Sequence, residues 1–540
     1  MQNSSQKQYD VCIIGSGVTG SLVARHFVPK GAEVLMLERG NDVYFPTKRS
    51  EFWTEGWVLD HERPGVSKNY WQDAEKHFDD LVEIENIGPR EWRFYYNMKY
   101  GLGGSGAVWS AASWRYLPED FKTRSNFGYG RDWPFEYETL APYYNEVEQL
   151  FHTSGPQDIE EWPWENNYRY PAFRQSYLDK VVADVLKPEF IVTPNAVSVK
   201  NLPPEEGGCI GAKTCVRKCV SNAKFRPDLH VLMEYRQAEN FTLLMGSPCI
   251  RINLTPDKKS IKSISYLHKG RTVKEVTAKY YFLAANAIEN MRLLMHSADS
   301  DNGPVANSSG LLGHYFSSHA SYVRSMVMHE KLYVSRGRPS TSIALNTLRH
   351  KERAQVGAFI VEIWNNDWSI GTSPRNVLRN LRRRKGHWGS SLFEKAVESD
   401  QRFAMTMVFE TEMRQRNQVS LSNYKDKYGL PLAKVNFEPS ERDLRTFEHV
   451  KSLDSVLNQK PGIKAIHQHG HGLNGNHPLG GYVCGNDPAN SVTDDFMRSH
   501  DHENLYILGG GAFNSTCAIN PTHTIAALAL KAVSDERLEF

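Results

Sequence analysis

At 540 residues the chain exceeds what one hydrophobic core usually organises, so two domains are expected. A formal net charge of +2 leaves no global field to recruit nucleic acid or an anionic membrane. No apolar run reaches the roughly 18 residues that a membrane-spanning helix needs, and the polar start MQNSSQKQYD lacks the basic and long apolar stretches of an export signal. Any export is therefore expected to depend on another subunit.

The first informative segment runs from Tyr9 to Gly40: strand YDVCIIG, turn GSGVTG, helix SLVARHFVPKG and strand AEVLMLERG. Short Val-, Ile- and Leu-rich runs on either side of a helix predict a βαβ unit with buried parallel strands. Gly15, Gly17 and Gly20 form G-x-G-x-x-G. The first glycine serves the tight turn, the second the close approach of backbone N–H groups to a pyrophosphate, and the third helix-to-strand packing. Glu38 closes the second strand, where a carboxylate would accept hydrogen bonds from ribose hydroxyls and disfavour a 2'-phosphate. This fingerprint fits FAD and NAD equally; without its register it would be a glycine-rich turn with no ligand.

Further along, GLGGSGAVW (residues 101–109) offers backbone without side chains at Gly103 and Gly104, followed by Ser105, against which a flat ring system could lie; tight packing is the competing reading. Of seven cysteines only Cys209, Cys215 and Cys219 cluster, in a loop-like stretch with no fourth Cys or His within ten residues, which disfavours structural zinc. They are ligands of a three-iron cluster or ordinary loop cysteines. The basic run Arg375 to Lys385 is a solvated face or a dock for an acidic partner. Glu410 and Glu412 would share a face of a strand, either buried against sugar hydroxyls or exposed. His467, His469 and His471 alternate as on a strand, with no acid nearby to complete a metal site. The Trp- and Tyr-rich segments EEWPWENNYRYP and VEIWNNDWS suit either stacking on sugar rings or core packing.

The last 70 residues place His477 before Pro478 and a glycine pair, and Asn520 before Pro521 at the mouth of an apolar helix. A neutral imidazole suits removal of a hydroxyl proton near pH 7, and an amide suits orientation of the resulting oxygen.

Taken together, the N-terminal fingerprint, GLGGSGAVW, YYFLAANAIENMRLLMHS (residues 280–297), HPLGG and NPTHTIAALAL resemble the glucose-methanol-choline (GMC) oxidoreductases along essentially the whole chain. GRDWPFEYETLAPYYNEVEQLF (residues 130–151) and NGPVANSSGLLGHYFSSH (residues 302–319) are most similar to the FAD-bearing large subunits of bacterial sugar and polyol dehydrogenases, with cholesterol oxidases next. The resemblance implies an α/β fold with a Rossmann-like FAD-binding domain (1–115, 190–318 and 472–540) interleaved with a substrate domain built on an antiparallel sheet with helices (116–189 and 319–471). It implies FAD held by Gly15, Gly17, Gly20, Glu38, Gly103, Gly104, Ser105, Gly510 and Gly511, although Gly509–Gly511 stand where many relatives have Asp-Gly-Ser. His477 would be the base, Asn520 its partner and Glu410 a substrate ligand.

The implied reaction is oxidation of a secondary or anomeric hydroxyl of a sugar, polyol or glycoside, at C3 or C1, with hydride passing to the flavin. The alternative is an oxidase of sugars or sterols that makes peroxide. The resemblance further implies that Cys209, Cys215 and Cys219 ligate a [3Fe–4S] cluster, with Lys213, Arg217, Lys218 and Lys224 offsetting its charge, and that a small subunit and a cytochrome or quinone acceptor are partners. Periplasmic location by co-export with that small subunit is implied, and a cytoplasmic enzyme fits the residues equally well.

Overall fold

The computed structural model describes residues 8–40, 84–96, 98–157, 159, 168–212, 215, 219, 221–298, 303–334, 336–366, 374–383 and 385–539. The expected βαβ unit is present: strand Tyr9–Ile14, helix Val18–Phe27 and strand Val34–Leu37. The helix starts three residues earlier than the apolar pattern indicates, directly behind Gly17. It tightens at Val28–Lys30 because Pro29 has no N–H to donate, and the chain reverses at Gly31 with φ +86°.

Strand Tyr9–Ile14 is the centre of a five-stranded sheet in which every pairing is parallel. From edge to edge the strands are Leu505–Ile507, Ala278–Leu283, Tyr9–Ile14, Val34–Leu37 and Phe241–Leu244. Val11, Cys12 and Ile13 are fully buried, as parallel strands covered on both faces require. One cover is helix Val18–Phe27, and helix Thr522–Val533 packs between it and helix Tyr137–Leu150, with Tyr144 Oη 2.7 Å from Thr524 Oγ1.

A six-stranded, wholly antiparallel sheet forms the second body of the fold, in the order Ile463–Leu473, Ala320–Met328, Arg402–Phe409, Phe359–Trp364, Ser342–Ala344 and Val192–Pro194. The last of these strands falls inside the stretch that the sequence assigns to the nucleotide domain; it pairs instead with Ser342–Ala344 at the sheet edge. All five parallel strands lie within the segments 1–115, 190–318 and 472–540.

The middle of the chain and its C-terminal part are joined by Asn290, fully buried in helix Ala287–His296. Its two Nδ2 hydrogens are shared among the carbonyls of Leu283 (3.2 Å) and Leu508 (2.9 Å) and Tyr482 Oη (3.1 Å), while its Oδ1 accepts from Ala285 N. Every polar atom of this side chain is used, so its burial costs little and its geometry is fixed. Tyr482 follows the HPLGG segment, and Asn290 thus sets the distance of that segment from the parallel sheet.

Candidate active site

A single elongated cavity of about 660 Å³ runs from the Gly15–Gly17 turn to His477 and Asn520. At the nucleotide end its wall contains Gly15, Ser16, Gly17, Glu38 and Arg39, and farther along Gly104, Ser105, Trp109, Gly509 and Gly510. A Cβ added to Gly17 would meet no protein atom within 4 Å, so a side chain there would occupy cavity space. Gly17 is also the N-cap of helix Val18–Phe27, which has no side-chain cap and no acid in its first turn. Bare N–H groups and the positive end of the helix dipole therefore face the cavity, as a pyrophosphate requires. Gly104 lies alongside: a Cβ built on it would be 3.5 Å from Gly17 Cα. This cradle fits FAD, with the phosphates on the helix end and the ring system toward His477.

The remaining glycines divide by role. A Cβ on Gly20 would come 2.0 Å from the carbonyl oxygen of Gly15, so Gly20 keeps the helix against the strand, as expected. Gly103 and Gly511 were expected at the cofactor and lie one layer behind it. Gly103 packs on Asp228 and donates from its N to Ser16 Oγ, and Gly511 lies against the Tyr482 ring. Glu38 accepts from Ser16 Oγ (2.6 Å), Ser16 N and Gly40 N, and burial raises its pKa against those hydrogen bonds.

At the far end, His477 follows strand Ile463–Leu473, and His319 immediately precedes the neighbouring strand Ala320–Met328. Antiparallel pairing of Ala320 with Leu473 brings the two imidazoles edge to face, with Nδ1 to Nδ1 at 2.9 Å and ring planes at 80°. His319 Nε2 lies 2.8 Å from the Thr516 carbonyl. Burial, then the neighbouring His319, pushes the His477 pKa well below the usual histidine range, which keeps His477 neutral and able to accept a proton.

Asn520 and Glu362 complete this end of the cavity. Asn520 Nδ2 donates to Glu362 Oε1 at 3.4 Å, and its Oδ1 has no hydrogen-bond partner among the described residues. Glu362 belongs to strand Phe359–Trp364, whose alternation puts it on one face with Trp364, and both line the cavity. Burial raises the Glu362 carboxyl to about 7.

Glu410, expected among the substrate ligands, is placed elsewhere. Strand Arg402–Phe409 ends one residue before it, so alternation does not carry through to Glu412. Its carboxylate accepts from Arg353 (2.9 Å), Arg442, Tyr129 Oη (2.8 Å) and Ala358 N (2.8 Å), at 1% exposure. With its acceptor sites filled it is a structural anion behind the site, held well below the usual carboxylate range by the two guanidinium groups. At the His477 end of the cavity the carboxyl is that of Glu362, and its sequence signal is one acid inside the apolar strand FIVEIW.

The cysteine loop abuts the cavity wall. Lys224 Nζ donates to the carbonyls of Cys215 (2.6 Å), Trp109 (2.9 Å) and Ala107 (3.2 Å), and Trp109 Nε1 donates to the Phe225 carbonyl. Cys209 Sγ accepts from Gly211 N (3.4 Å) and Cys219 Sγ from Lys224 N (3.3 Å), with Arg338 Nη1 3.8 Å from Cys209 Sγ. As placed, no group of three His, Cys, Asp or Glu side chains among the described residues could hold a metal ion. Lys213, Arg217 and Lys218 lie outside the described residues, as do Trp162, Trp164 and Trp368. His467, His469 and His471 are exposed on the edge strand Ile463–Leu473 and are not part of the cavity wall.

Residues 413–529 match a family model described as GMC oxidoreductase. Over 97% of its length the chain is 28% identical to the fructose dehydrogenase large subunit of Gluconobacter japonicus, covering 96% of that protein. It is 28% identical to the paromamine 6'-oxidase of Streptomyces fradiae, with 97% of this chain and 90% of the relative covered. Among solved structures, pyridoxine 4-oxidase from Mesorbium loti superposes with a TM-score of 0.64 over 98% of this chain and 100% of that one, at 16% identity. Among the described residues no helix is long and apolar enough to cross a membrane.

Proposed function

Since the chain is a GMC oxidoreductase, an FAD-dependent enzyme acting on CH–OH donors, we propose that it dehydrogenates a secondary or anomeric hydroxyl of a sugar, polyol or glycoside. The observation that carries the reading is the continuity of one cavity from the bare helix end at Gly17 to the polar cluster of His477, Asn520 and Glu362. Bound FAD supplies the acceptor for the hydride that leaves the carbinol carbon. The chain's own residues do the rest: His477 takes the hydroxyl proton, and Asn520 and Glu362 hold the oxygen so that the C–H bond keeps one orientation. Trp364 adds an aromatic wall suited to the apolar face of a sugar ring.

The experiment is anaerobic bleaching of the bound flavin by a panel of hexoses, polyols and glycosides, repeated with His477→Gln. Bleaching by at least one compound, and its slowing by roughly 10²–10⁴-fold in the variant, is expected. A flavin that no member of the panel bleaches would reject the substrate class. Stoichiometric peroxide in air would favour the oxidase reading, which the similarity to paromamine 6'-oxidase supports.

For electron exit, Cys209, Cys215 and Cys219 would hold a [3Fe–4S] cluster once drawn closer together than they stand here, with backbone N–H groups pointing at two of the sulfurs and Arg338 beside one of them. Iron and sulfide analysis of the holoenzyme tests this, and active protein free of iron would refute it. The acceptor, a cytochrome or quinone-linked partner, would dock on the hairpin of helices Pro374–Arg383 and Gly389–Glu398. That hairpin carries Arg382, Arg383 and Lys385, exposes Trp388 and Phe393, and has its own small core of Val377, Leu381 and Leu392. Replacing these three cations by Gln should raise the KM for the acceptor and leave the KM for the sugar unchanged. A small subunit exported together with this chain would place the complex in the periplasm, which cell fractionation of a co-expressing strain tests.

A further inference from the structure

The relation between His477 and His319 fixes more than a distance. A backbone carbonyl only accepts, so the 2.8 Å contact with the Thr516 oxygen requires a proton on His319 Nε2. His319 is fully buried, and desolvation pushes its pKa down to about 4 against the small opposing pulls of the Thr516 carbonyl and of Glu410, so the ring is neutral at working pH. A neutral ring protonated at Nε2 carries a lone pair at Nδ1. The only arrangement that makes the 2.9 Å Nδ1-to-Nδ1 contact a hydrogen bond then has His477 donating from Nδ1.

We infer that His319 is a positioning residue that locks His477 in the tautomer protonated at Nδ1, leaving Nε2 as the proton-accepting atom. The chain of contacts Thr516 carbonyl, His319, His477 works without a carboxylate. Glu410, which would be the obvious anion for such a role, is spent on Arg353 and Arg442 and touches neither ring directly. When Nε2 of His477 takes a proton, the Nδ1–H continues to donate to His319, so the imidazolium keeps its orientation throughout. Unlocked, the ring would divide between two tautomers, and the one protonated at Nε2 cannot act as base.

The inference rests on His477 being the base, and the test separates the two. His319→Leu removes the acceptor, whereas His319→Asn puts Oδ1 close to where Nδ1 was and keeps one. With the fastest substrate of the sugar panel, His319→Leu is expected to lower kcat by about 10–100-fold with KM nearly unchanged, and His319→Asn to recover most of that loss. Flavin content and melting temperature of each purified holoenzyme establish that both variants are folded.

If His477→Gln is inactive and His319→Leu turns over at the wild-type rate, the tautomer lock is overturned and the base assignment stands. If His477→Gln also turns over at the wild-type rate, the base assignment itself has failed. Neutron diffraction from deuterated holoenzyme crystals reads the protons without reference to activity. Deuterium on His477 Nδ1 and His319 Nε2, with none on His319 Nδ1, is expected, and deuterium on His319 Nδ1 refutes the inference.

Discussion

Asn520 and Glu362 meet at 3.4 Å with the amide nitrogen toward the carboxyl, so the ionisation of Glu362 decides which end of Asn520 is presented to a substrate. An ionised Glu362 accepts from Nδ2 and turns Oδ1 to the cavity. A protonated Glu362 can donate to Oδ1 and turn the Nδ2 donor to the cavity instead. With the carboxyl raised to about 7, both forms are populated in the neutral range. Glu362→Gln, whose amide can donate permanently, is therefore expected to remove a titration near pH 7 from the kcat/KM profile. An unchanged profile would refute this.

The same shift has a consequence for stability. A carboxyl whose folded pKa lies above its unfolded value favours the fold at low pH, and that contribution is lost as pH rises through about 7. Glu362→Gln should thus gain in melting temperature relative to the wild type between pH 5 and pH 8, as differential scanning calorimetry would record.

Gly17 and Gly20 separate binding from folding. Gly17 has φ −67°, which any residue adopts, and open space where a Cβ would stand, so Gly17→Val should fold with a near-native melting temperature and bind FAD poorly. Gly20→Val would drive a side chain into the Gly15 carbonyl and should give little soluble protein. Expression yield and flavin content of the two variants check this; equal behaviour would contradict the division of roles.

Glu410 is expected to matter for stability and not for substrate affinity. Glu410→Ala leaves Arg353 and Arg442 buried without their shared anion, a loss on the order of 3–5 kcal/mol. Because the depressed pKa of Glu410 contributes stability that is present above its unfolded value near 4.5 and disappears below it, the variant should also lose part of the wild type's acid-unfolding transition. Urea unfolding at pH 4 and pH 7 tests both points, and a raised sugar KM with unchanged stability would restore the substrate role.

Asn290→Leu should cost about 1–3 kcal/mol by leaving Ala285 N without its acceptor and removing one of the donors to the carbonyls of Leu283 and Leu508, which keep Leu508 N and Tyr482 Oη. Because the HPLGG segment is hung from the same side chain through Tyr482, kcat should fall as well, measured on protein that retains its flavin.

Legibility followed the range of the interactions. The βαβ unit could be read because its turn, helix and two strands are contiguous, and the carboxyl of Glu38 falls in register with them. His477 and Asn520 could be read because each sits beside a proline in a local motif. His319 could not, since its meaning arises only when Ala320 pairs with Leu473, a register that local pattern does not specify. Glu410 reads as a strand residue sharing a face with Glu412, but the strand ends at Phe409. Glu362 reads as part of an aromatic segment, although an acid flanked by Ile and Val on a buried strand is unusual enough to demand a partner. The position of Val192–Pro194 was likewise set by an edge pairing more than 140 residues away in sequence.

Lys224 ties two loops together at one buried nitrogen. Its ammonium group holds the carbonyl of Cys215 on one side and those of Ala107 and Trp109 on the other, so the thiol loop and the flavin-side wall are pinned at one point. Burial draws that ammonium down to about 8, within reach of mildly alkaline solution. Once the proton is gone the nitrogen has two donors for three carbonyls, and one of the three contacts is weakened. Alkaline conditions would thus loosen the seam between the thiol loop and the cavity wall.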